Sequence, residues 1–336
     1  MNLSAFGLTG VRRKALVVLG AGASRGASFV KYQVGAKPPL DRDFFQQLSW
    51  LSGCRAGADL IEFARQKYGD ELELSMETFF SETEYTAKFL SDIRVDRGRP
   101  AQQYNKALDN FYAALAALLN HSASGQCQYH DKLALALRAG DSVLSFNYDC
   151  IMDNALRVGG GSRWDPSRGY GFEVLEGAEY WRPGAVRGRK TATPIQLLKM
   201  HGSVNWDIRN DGVHLERRDI AAKDLRGRVI APTLNKVLAE KPFSDVWKCA
   251  RRAVRGARAI VAIGYSVPQA DFFARSLFKE ETASRHEKEK IEILVLANPD
   301  GESRRRFYHL IRAGMKPAAP VIEFDSLNML ADTLLN

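Results

Sequence analysis

The sequence predicts an α/β fold, an open and mostly parallel sheet with a helical insertion domain. Two observations predict it. Short β-branched runs recur along the chain as continuous apolar stretches, which is typical of strands buried on both faces of a parallel sheet. Segments with helical periodicity separate several of these runs, and such alternation indicates an open α/β sheet. The length of 336 residues suits about two domains at roughly 150 residues each, or one domain with a large insertion.

Seven segments carry the strand signal. The first, residues 14–20, places five apolar residues between a basic flank and a glycine-rich turn. The other six follow in the order 141–146, 195–200, 227–232, 257–266, 290–298 and 320–324. Helical patterns lie between or after them at 129–139, 237–254, 271–279 and 301–313.

Residues 41–131 differ from the rest because they contain no convincing strand. Their apolar residues recur at helical spacing in four successive segments. We therefore expect a core formed by residues 1–40 and 132–336, with 41–131 inserted as a helical small domain or lid. Residues 159–193 are rich in Gly, Arg, Trp and Pro and predict a long irregular loop.

Composition limits the function without choosing it. Lys and Arg total 48 against 39 Asp and Glu, a net charge of +9 that suits a protein handling an anion, either a nucleotide or a nucleic acid. The four cysteines form no C-x-x-C motif, so we expect reduced thiols and no cysteine-built zinc site. No apolar run reaches about 18 residues, and the first charges follow the N-terminal apolar stretch, so we expect a cytoplasmic protein without a membrane span.

The strongest local motif follows the first strand. Glycine and alanine there let the backbone approach a pyrophosphate, and successive amides can donate to its oxygens. The residues are Gly20, Ala21, Gly22, Ala23 and Ser24. The motif is G-x-G without the third glycine, because Arg25 stands at that position, so a tight structural turn is the alternative.

Polar residues also end the later strands, and the carboxyl ends of such strands line the ligand crevice of a doubly wound sheet. Asn147 and Asp149 can offer an amide and a carboxylate to ribose hydroxyls, or can cap the helix that follows. His201 can serve as a general base, or can be a packed or surface residue.

Two more strand ends carry small or polar residues. Gly264, Tyr265 and Ser266 can contact a phosphate or ribose. Asn298 can hold a sugar hydroxyl or form an Asx turn.

Taken together and in this order, these motifs resemble the sirtuin family of NAD-consuming proteins. The matching residues are GAGAS at 20–24, FNYD at 146–149, HG at 201–202, GYS at 264–266 and AN at 297–298. The segment PPLDRDFF at 38–45, which contains Asp41, is similar to the one that follows the glycine-rich loop in prokaryotic sirtuin-like proteins. Membership implies a Rossmann-like fold with NAD bound across the strand ends.

The chain departs from protein-deacylating sirtuins in two ways. It lacks their four-cysteine zinc module, and Pro39-Leu40-Asp41-Arg42 is only a loose counterpart of their Pro-Asp-Phe-Arg element. The pattern instead resembles the sirtuin-like NAD hydrolases of bacterial antiphage defence. That resemblance implies that NAD is the substrate, that cellular NAD is depleted on infection, and that no zinc is bound.

The resemblance also implies roles for individual residues. Asn147 would hold the ribose and His201 would be the general base. The loop at 20–24 would hold the pyrophosphate, and Asp149 would support the ribose or Asn147. The rest of the expected binding set is Asp41, Gly264, Tyr265, Ser266 and Asn298.

Other functions stay open at this point. They are a protein deacylase or ADP-ribosyltransferase, a non-catalytic sensor of NAD or ADP-ribose, and, on charge alone, a nucleic-acid-binding protein. An uncontrolled NAD hydrolase is toxic and the chain has no second sensing module, so we expect a homo-oligomer controlled by assembly or by a partner such as a HerA-type ATPase or an Argonaute-like protein. Helices of 41–131 could close over the crevice as a lid.

Overall fold

The computed structural model describes residues 14–70, 72, 74–93, 99–184, 193–217, 225–233, 238–268, 271–283 and 285–335. Its centre is a six-stranded, all-parallel sheet flanked by helices, which confirms the predicted α/β, Rossmann-like class. The strands of the described residues are β1 (Ala15–Leu19), β2 (Ser142–Ser145), β3 (Val174–Glu176), β4 (Gln196–Lys199), β5 (Trp206–Arg209), β6 (Gly212–Leu215), β7 (Ala259–Ile263), β8 (Ile293–Ala297) and β9 (Val321–Phe324).

The central sheet has the order β4-β2-β1-β7-β8-β9. Its first strand in sequence lies in the middle, where Val17 pairs with Val143 of β2 on one side and Val261 of β7 on the other. Every residue of β1, β7 and β8 is buried, because helices cover both faces of the sheet. This burial explains why these strands appear in the sequence as continuous apolar runs.

The α-helices of the described residues are α1 (Ala21–Arg25), α2 (Phe44–Ser49), α3 (Arg55–Tyr68), α4 (Met76–Asp92), α5 (Arg99–Ser122), α6 (Gln128–Ala136), α7 (Ile151–Gly159), α8 (Phe243–Gly256), α9 (Phe272–Ala283), α10 (Gly301–Ile311) and α11 (Leu327–Leu335). Apart from the short α1, they form three groups. Helices α6, α7 and α11 pack together, as do α8, α9 and α10, while α2 to α5 lie within residues 41–131.

The insertion has its own aromatic core. Phe80 and Phe111 meet edge to face with ring centroids 4.9 Å apart, and Phe44 lies against Phe111 at 5.3 Å. Tyr148 and Val204, which follow β2 and β4, pack against the same core. The helices of residues 41–131 therefore lie beside the carboxyl ends of these two strands, whereas the domain boundaries themselves stay a prediction.

One predicted strand is wrong. Residues 227–232 form no strand of the central sheet, and Val229 makes only an isolated bridge to Gly202. Leu225, Val229 and Ala231 are buried against the helical insertion instead. Their apolar character reflects packing on helices, which periodicity cannot distinguish from packing in a sheet over so short a run.

Other differences concern the long segment before β4 and the start of α8. Strands β3, β6 and β5 form a second, three-stranded sheet that the sequence did not predict, and β3 lies inside the segment predicted as a loop. Residues 185–192 of that segment lie outside the described residues. The helix predicted from residue 237 begins at Phe243, and residue 237 is also outside the described part.

Candidate active site

The candidate site lies where the strand order reverses. Strands β2 and β4 extend to one side of β1, and β7, β8 and β9 extend to the other. In open α/β sheets the ligand crevice forms at this switch point, outside the carboxyl ends of the strands. The predicted motifs at 20–24, 147–149, 201–202, 264–266 and 298 all follow strands of this sheet at that edge.

Glycines let two of these loops approach each other closely. The carbonyl oxygen of Gly264 accepts from the amide of Gly22 at 3.0 Å. A Cβ added to Gly22 would lie 2.8 Å from the Gly264 Cα, and one added to Gly264, which has φ +59, would lie 2.2 Å from the Ala23 nitrogen. The loops after β1 and β7 can therefore meet only because both carry glycine.

The same contacts occupy part of the glycine-rich turn. The amides of Gly20, Gly22 and Ala23 donate to carbonyl oxygens of the protein itself. Ala21 is the first residue of α1, so its amide has no acceptor within the helix. The turn is thus partly structural, as the alternative interpretation held, and fewer amides face a ligand than the sequence motif suggests.

Asn147 connects the end of β2 to this turn. Its side-chain nitrogen donates to the carbonyl oxygen of Gly20 and to the hydroxyl of Ser24, both at 2.9 Å. A carbonyl oxygen can only accept, so the bond to Gly20 fixes which end of the Asn147 amide carries the hydrogens. The opposite atom, Asn147 Oδ1, is buried and has no hydrogen-bond partner among the described residues.

Asp149 completes a short chain of hydrogen bonds. The Ser24 hydroxyl donates to Asp149 Oδ2 at 2.6 Å, and the amide of Ile151 donates to Asp149 Oδ1 at 3.0 Å. The second bond is an Asx turn that satisfies the amide of Ile151, the first residue of α7, whereas the N-cap residue of this helix is Cys150 and has no side-chain cap. Ser24 and Asp149 therefore hold each other and shape the turn.

A buried ion pair between Lys199 and Asp153 lies next to the backbone of Asp149. Lys199 donates to the backbone carbonyl of Asp149 and lies 3.3 Å from Asp153 Oδ2. Tyr170 donates its hydroxyl to Asp153 Oδ1 at 2.6 Å. Burial disfavours the charged lysine, but the negative groups around it, Asp153 foremost with Cys150 and Asp149, together outweigh this and raise the pKa of Lys199 above its ordinary value. Lys199 therefore keeps its positive charge at neutral pH.

His201 lies among aromatic rings after β4. The edge of its imidazole meets the Phe146 ring at a centroid distance of 5.3 Å, and the Tyr148 ring lies at 6.3 Å. His201 Nε2 is 3.7 Å from Asp271 Oδ1, and the histidine side chain is 11% exposed. His201 is thus mostly packed, and a carboxylate that the sequence analysis did not single out lies beside it.

The predicted residues that follow β7 and β8, on the other side of the switch point from β2 and β4, each make different contacts. Tyr265 is buried, and its hydroxyl donates to Asp271 Oδ2 at 3.1 Å. The carbonyl oxygen of Ser266 accepts from Arg306 at 3.1 Å. Asn298 Oδ1 accepts from the amide of Asp300 at 3.0 Å, which is the Asx turn considered as its alternative.

Asp41 lies in the insertion. Its carboxylate accepts from the amide of Glu77 at 3.0 Å, in the first turn of α4. Next to it, Asp43 pairs with Arg25 at 2.5 Å, and Arg25 also donates to the Pro38 carbonyl at 2.6 Å. The residue that replaces the third glycine of the motif therefore ties the glycine-rich turn to the segment 38–43.

Sequence reasoning missed Arg25, Asp43, Glu77 and Asp271 as parts of this region. Glu77 exerts a charge effect on both Tyr148 and Tyr265, so the insertion contributes a carboxylate on this side of the crevice. A strand-end position marks neither Glu77 nor Asp43. Asp271 precedes a helix, where a capping role is the ordinary expectation.

Neither a metal-binding cluster nor a membrane-spanning helix is found among the described residues. Within the described residues, no three His, Cys, Asp or Glu side chains converge as a metal ion would require. None of the described helices combines the length and apolarity needed to cross a bilayer.

Comparison with known proteins adds no relative: no protein-family model matches the chain, and no curated protein matches it either.

Proposed function

We propose that the protein is a sirtuin-like NAD glycohydrolase that cleaves NAD to nicotinamide and ADP-ribose. The observation that carries the proposal is the buried Asn147 Oδ1, an acceptor without a partner among the described residues, at the switch point of a Rossmann-like sheet. An unsatisfied buried acceptor costs about 1–3 kcal/mol. A ribose hydroxyl donating to this atom would remove that cost, and the order of the strand-end motifs supports NAD as the source of the ribose.

The chemistry requires little covalent participation by the protein. The bond between ribose C1′ and the nicotinamide nitrogen breaks, nicotinamide leaves as a neutral base with the bonding electrons, and water supplies the new hydroxyl group and releases a proton. The transition state resembles an oxocarbenium ion, so holding the ribose and water in position supplies much of the rate. Asn147 would orient the ribose through its Oδ1, and His201 would accept the proton.

Different binding residues would contact different parts of the dinucleotide. The turn at 20–24 would face the pyrophosphate, chiefly through the amide of Ala21, because three of its other amides already donate within the protein. Ser24 and Asp149 would act by fixing Asn147 and the turn, since their side chains bond each other. Residues 264–266 and Asn298 would serve the adenosine side, and Asp41 would hold the insertion near the crevice.

Product analysis tests the proposal. The purified protein is incubated with NAD, and nicotinamide and ADP-ribose are quantified by chromatography. We expect equal amounts of both products, with no need for an acylated peptide. Nicotinamide released only with an acetylated peptide would instead identify a deacylase, ADP-ribose found on protein would identify a transferase, and bound but intact NAD would identify a sensor.

The same resemblance extends the proposal to the cell. We propose that the activity depletes NAD as an antiphage defence, in a homo-oligomer whose activity is switched by assembly or by a partner of the ATPase or Argonaute-like type. Measuring molar mass beside NAD turnover over a range of protein concentrations tests this part. A monomer whose turnover per subunit is full and independent of concentration would contradict it.

A further inference from the structure

The side-chain carboxylate of Asp271 is buried next to the imidazole of His201. It precedes the first residue of α9, and its side chain is 3% exposed. Its Oδ1 lies 3.7 Å from His201 Nε2, which is longer than a hydrogen bond of about 2.9 Å and within the range of an ion pair. A carboxylate this deeply buried must be held by partners, because burying an isolated charge is strongly unfavourable.

Four side chains form a closed ring around this contact. Tyr265 donates to Asp271 Oδ2 at 3.1 Å, and its aromatic ring stacks on Phe146 at a centroid distance of 4.4 Å and an interplanar angle of 15°. Phe146 in turn meets the His201 imidazole edge to face at 5.3 Å. The ring joins the ends of β2, β4 and β7 to the start of α9, and so spans the switch point of the sheet.

The two carboxylate oxygens of Asp271 have different neighbours: Oδ2 lies beside Tyr265 and Oδ1 beside His201. Burial, together with the Asp271 charge, raises the pKa of Tyr265 well above its ordinary value, so the tyrosine stays protonated and remains a donor. Tyr265 thereby holds Oδ2, and Oδ1 lies 3.7 Å from His201 Nε2. A carboxylate beside one imidazole nitrogen favours the tautomer with hydrogen on that nitrogen, which makes the other nitrogen the base.

We propose that Asp271 is the positioning residue for His201: its carboxylate, 3.7 Å from Nε2, favours the tautomer with hydrogen on that nitrogen and orients the imidazole so that Nδ1 accepts the proton during NAD cleavage. The proposal rests on the glycohydrolase function proposed above. It also gives Tyr265 a role different from the predicted contact with NAD, namely to hold Asp271 through its hydroxyl and Phe146 through its ring.

Other titratable groups surround the ring and must be considered in a pH experiment. Glu77 acts on Tyr148 and on Tyr265 from the insertion, and Arg275 acts on Tyr265 from α9. Both Glu77 and Arg275 are present in the wild type and in an Asp271 variant alike. A difference between those two proteins therefore reports the Asp271 charge.

The first test is kinetic. In Asp271→Asn we expect kcat for nicotinamide release to fall by about 10- to 10²-fold, the size expected for a misplaced catalytic group, while KM for NAD stays near the wild-type value. The acid limb of the pH profile should move to lower pH, because a negative charge that favours the imidazolium has been removed. Tyr265→Phe, which keeps the stacked ring and loses only the hydroxyl, should show a smaller loss of kcat.

A matched control is Asp245→Asn. Asp245 lies in the first turn of α8, and its carboxylate pairs with the exposed Lys248. This variant should keep the wild-type kcat and pH profile. Wild-type kcat and an unmoved acid limb in Asp271→Asn, with His201→Ala inactive, would overturn the proposal.

The second test needs no activity. The imidazole resonances of the six histidines are followed by NMR against pH, and His201→Gln identifies that of His201. We expect the His201 resonance to titrate at lower pH in Asp271→Asn than in the wild type, and an unchanged titration would overturn the pairing. If the resonance shifts and the wild-type protein releases no nicotinamide, then the pair stands and the proposed function fails. If Asp271→Asn does not fold, Tyr265→Phe carries the kinetic test, and wild-type kcat in that variant would overturn the proposal.

Discussion

The side-chain amide nitrogen of Asn147 lies 2.9 Å from the carbonyl oxygen of Gly20, and this bond joins the carboxyl end of β2 to that of β1. The bond fixes the orientation of the Asn147 amide and directs its hydrogens toward the protein. The amide oxygen is buried and has no hydrogen-bond partner among the described residues. One asparagine thus links the glycine-rich turn to the predicted ribose site.

Gly264→Ala should destabilise the protein and displace the glycine-rich turn. The new Cβ would lie 2.2 Å from the Ala23 nitrogen, in a left-handed conformation with φ +59. Gly161→Ala is the matched control, because Gly161 has φ +53 and nothing within 4 Å of an added Cβ. In urea unfolding, we expect about 1–2 kcal/mol lost in the control from backbone strain and about 1–3 kcal/mol more in Gly264→Ala from overpacking. Equal losses would show that the close approach of the two loops is not required.

Lys199→Met should be strongly destabilising. Lys199 and Asp153 are 1% and 0% exposed, so removing the lysine leaves a buried, uncompensated carboxylate. The expected loss in the free energy of unfolding is about 3–5 kcal/mol. The exposed pair of Lys248 and Asp245 provides the control, and Lys248→Met should cost less than about 1 kcal/mol. Adding Asp153→Asn to Lys199→Met should restore part of the stability, and a double variant as unstable as the single one would contradict this explanation.

Cys127 should titrate near neutral pH. Its buried sulfur lies 3.0 Å from His130 Nδ1 and accepts from the amide of Ser28 at 3.3 Å. Burial opposes ionisation of the thiol, but the hydrogen bonds and charge of His130, together with the backbone hydrogen bond from Ser28, outweigh it and lower the pKa of Cys127 to about 7. The ultraviolet absorbance of the thiolate should therefore appear with a midpoint at about pH 7.

Three variants test whether the titration near pH 7 belongs to Cys127. It should disappear in Cys127→Ser and move to higher pH in His130→Asn, because burial then acts without the imidazole. Cys150→Ser should leave it unchanged, since burial raises the pKa of the Cys150 thiol. A neutral titration that survives Cys127→Ser would assign it to another group.

The sequence predicted the central sheet because its strands are buried on both faces and so appear as apolar runs. The same signal failed at residues 227–232, where equal burial arises against helices of the insertion. The hairpin of β5 and β6 carried a usable signal, since Asn210 and Asp211 lie between its two strands, Gly212 begins β6, and such residues favour tight hairpin turns. That turn was not recognised because the flanking runs are short.

The candidate site was predictable only in its strand-end residues. Position after a buried strand marked Asn147, His201 and Gly264, because topology brings such positions to one edge. The bond between Ser24 and Asp149 spans 125 positions in the chain, and no local pattern indicates it. The pairing of His201 with Asp271 is equally non-local, and it depends on Tyr265 holding the carboxylate.

The most direct test of the account is the rate of nicotinamide release in a single turnover by the wild type, Asn147→Ala and His201→Ala. Both variants should fold and be slower by at least about 10², the lower limit for the loss of a general acid–base group. Asn154→Ala is the matched control, because the side-chain amide of Asn154 is also buried without a hydrogen-bond partner among the described residues but lies within α7. This control should release nicotinamide at a rate near that of the wild type. Release by Asn147→Ala at the wild-type rate, or no release by the wild type itself, would contradict the proposed function.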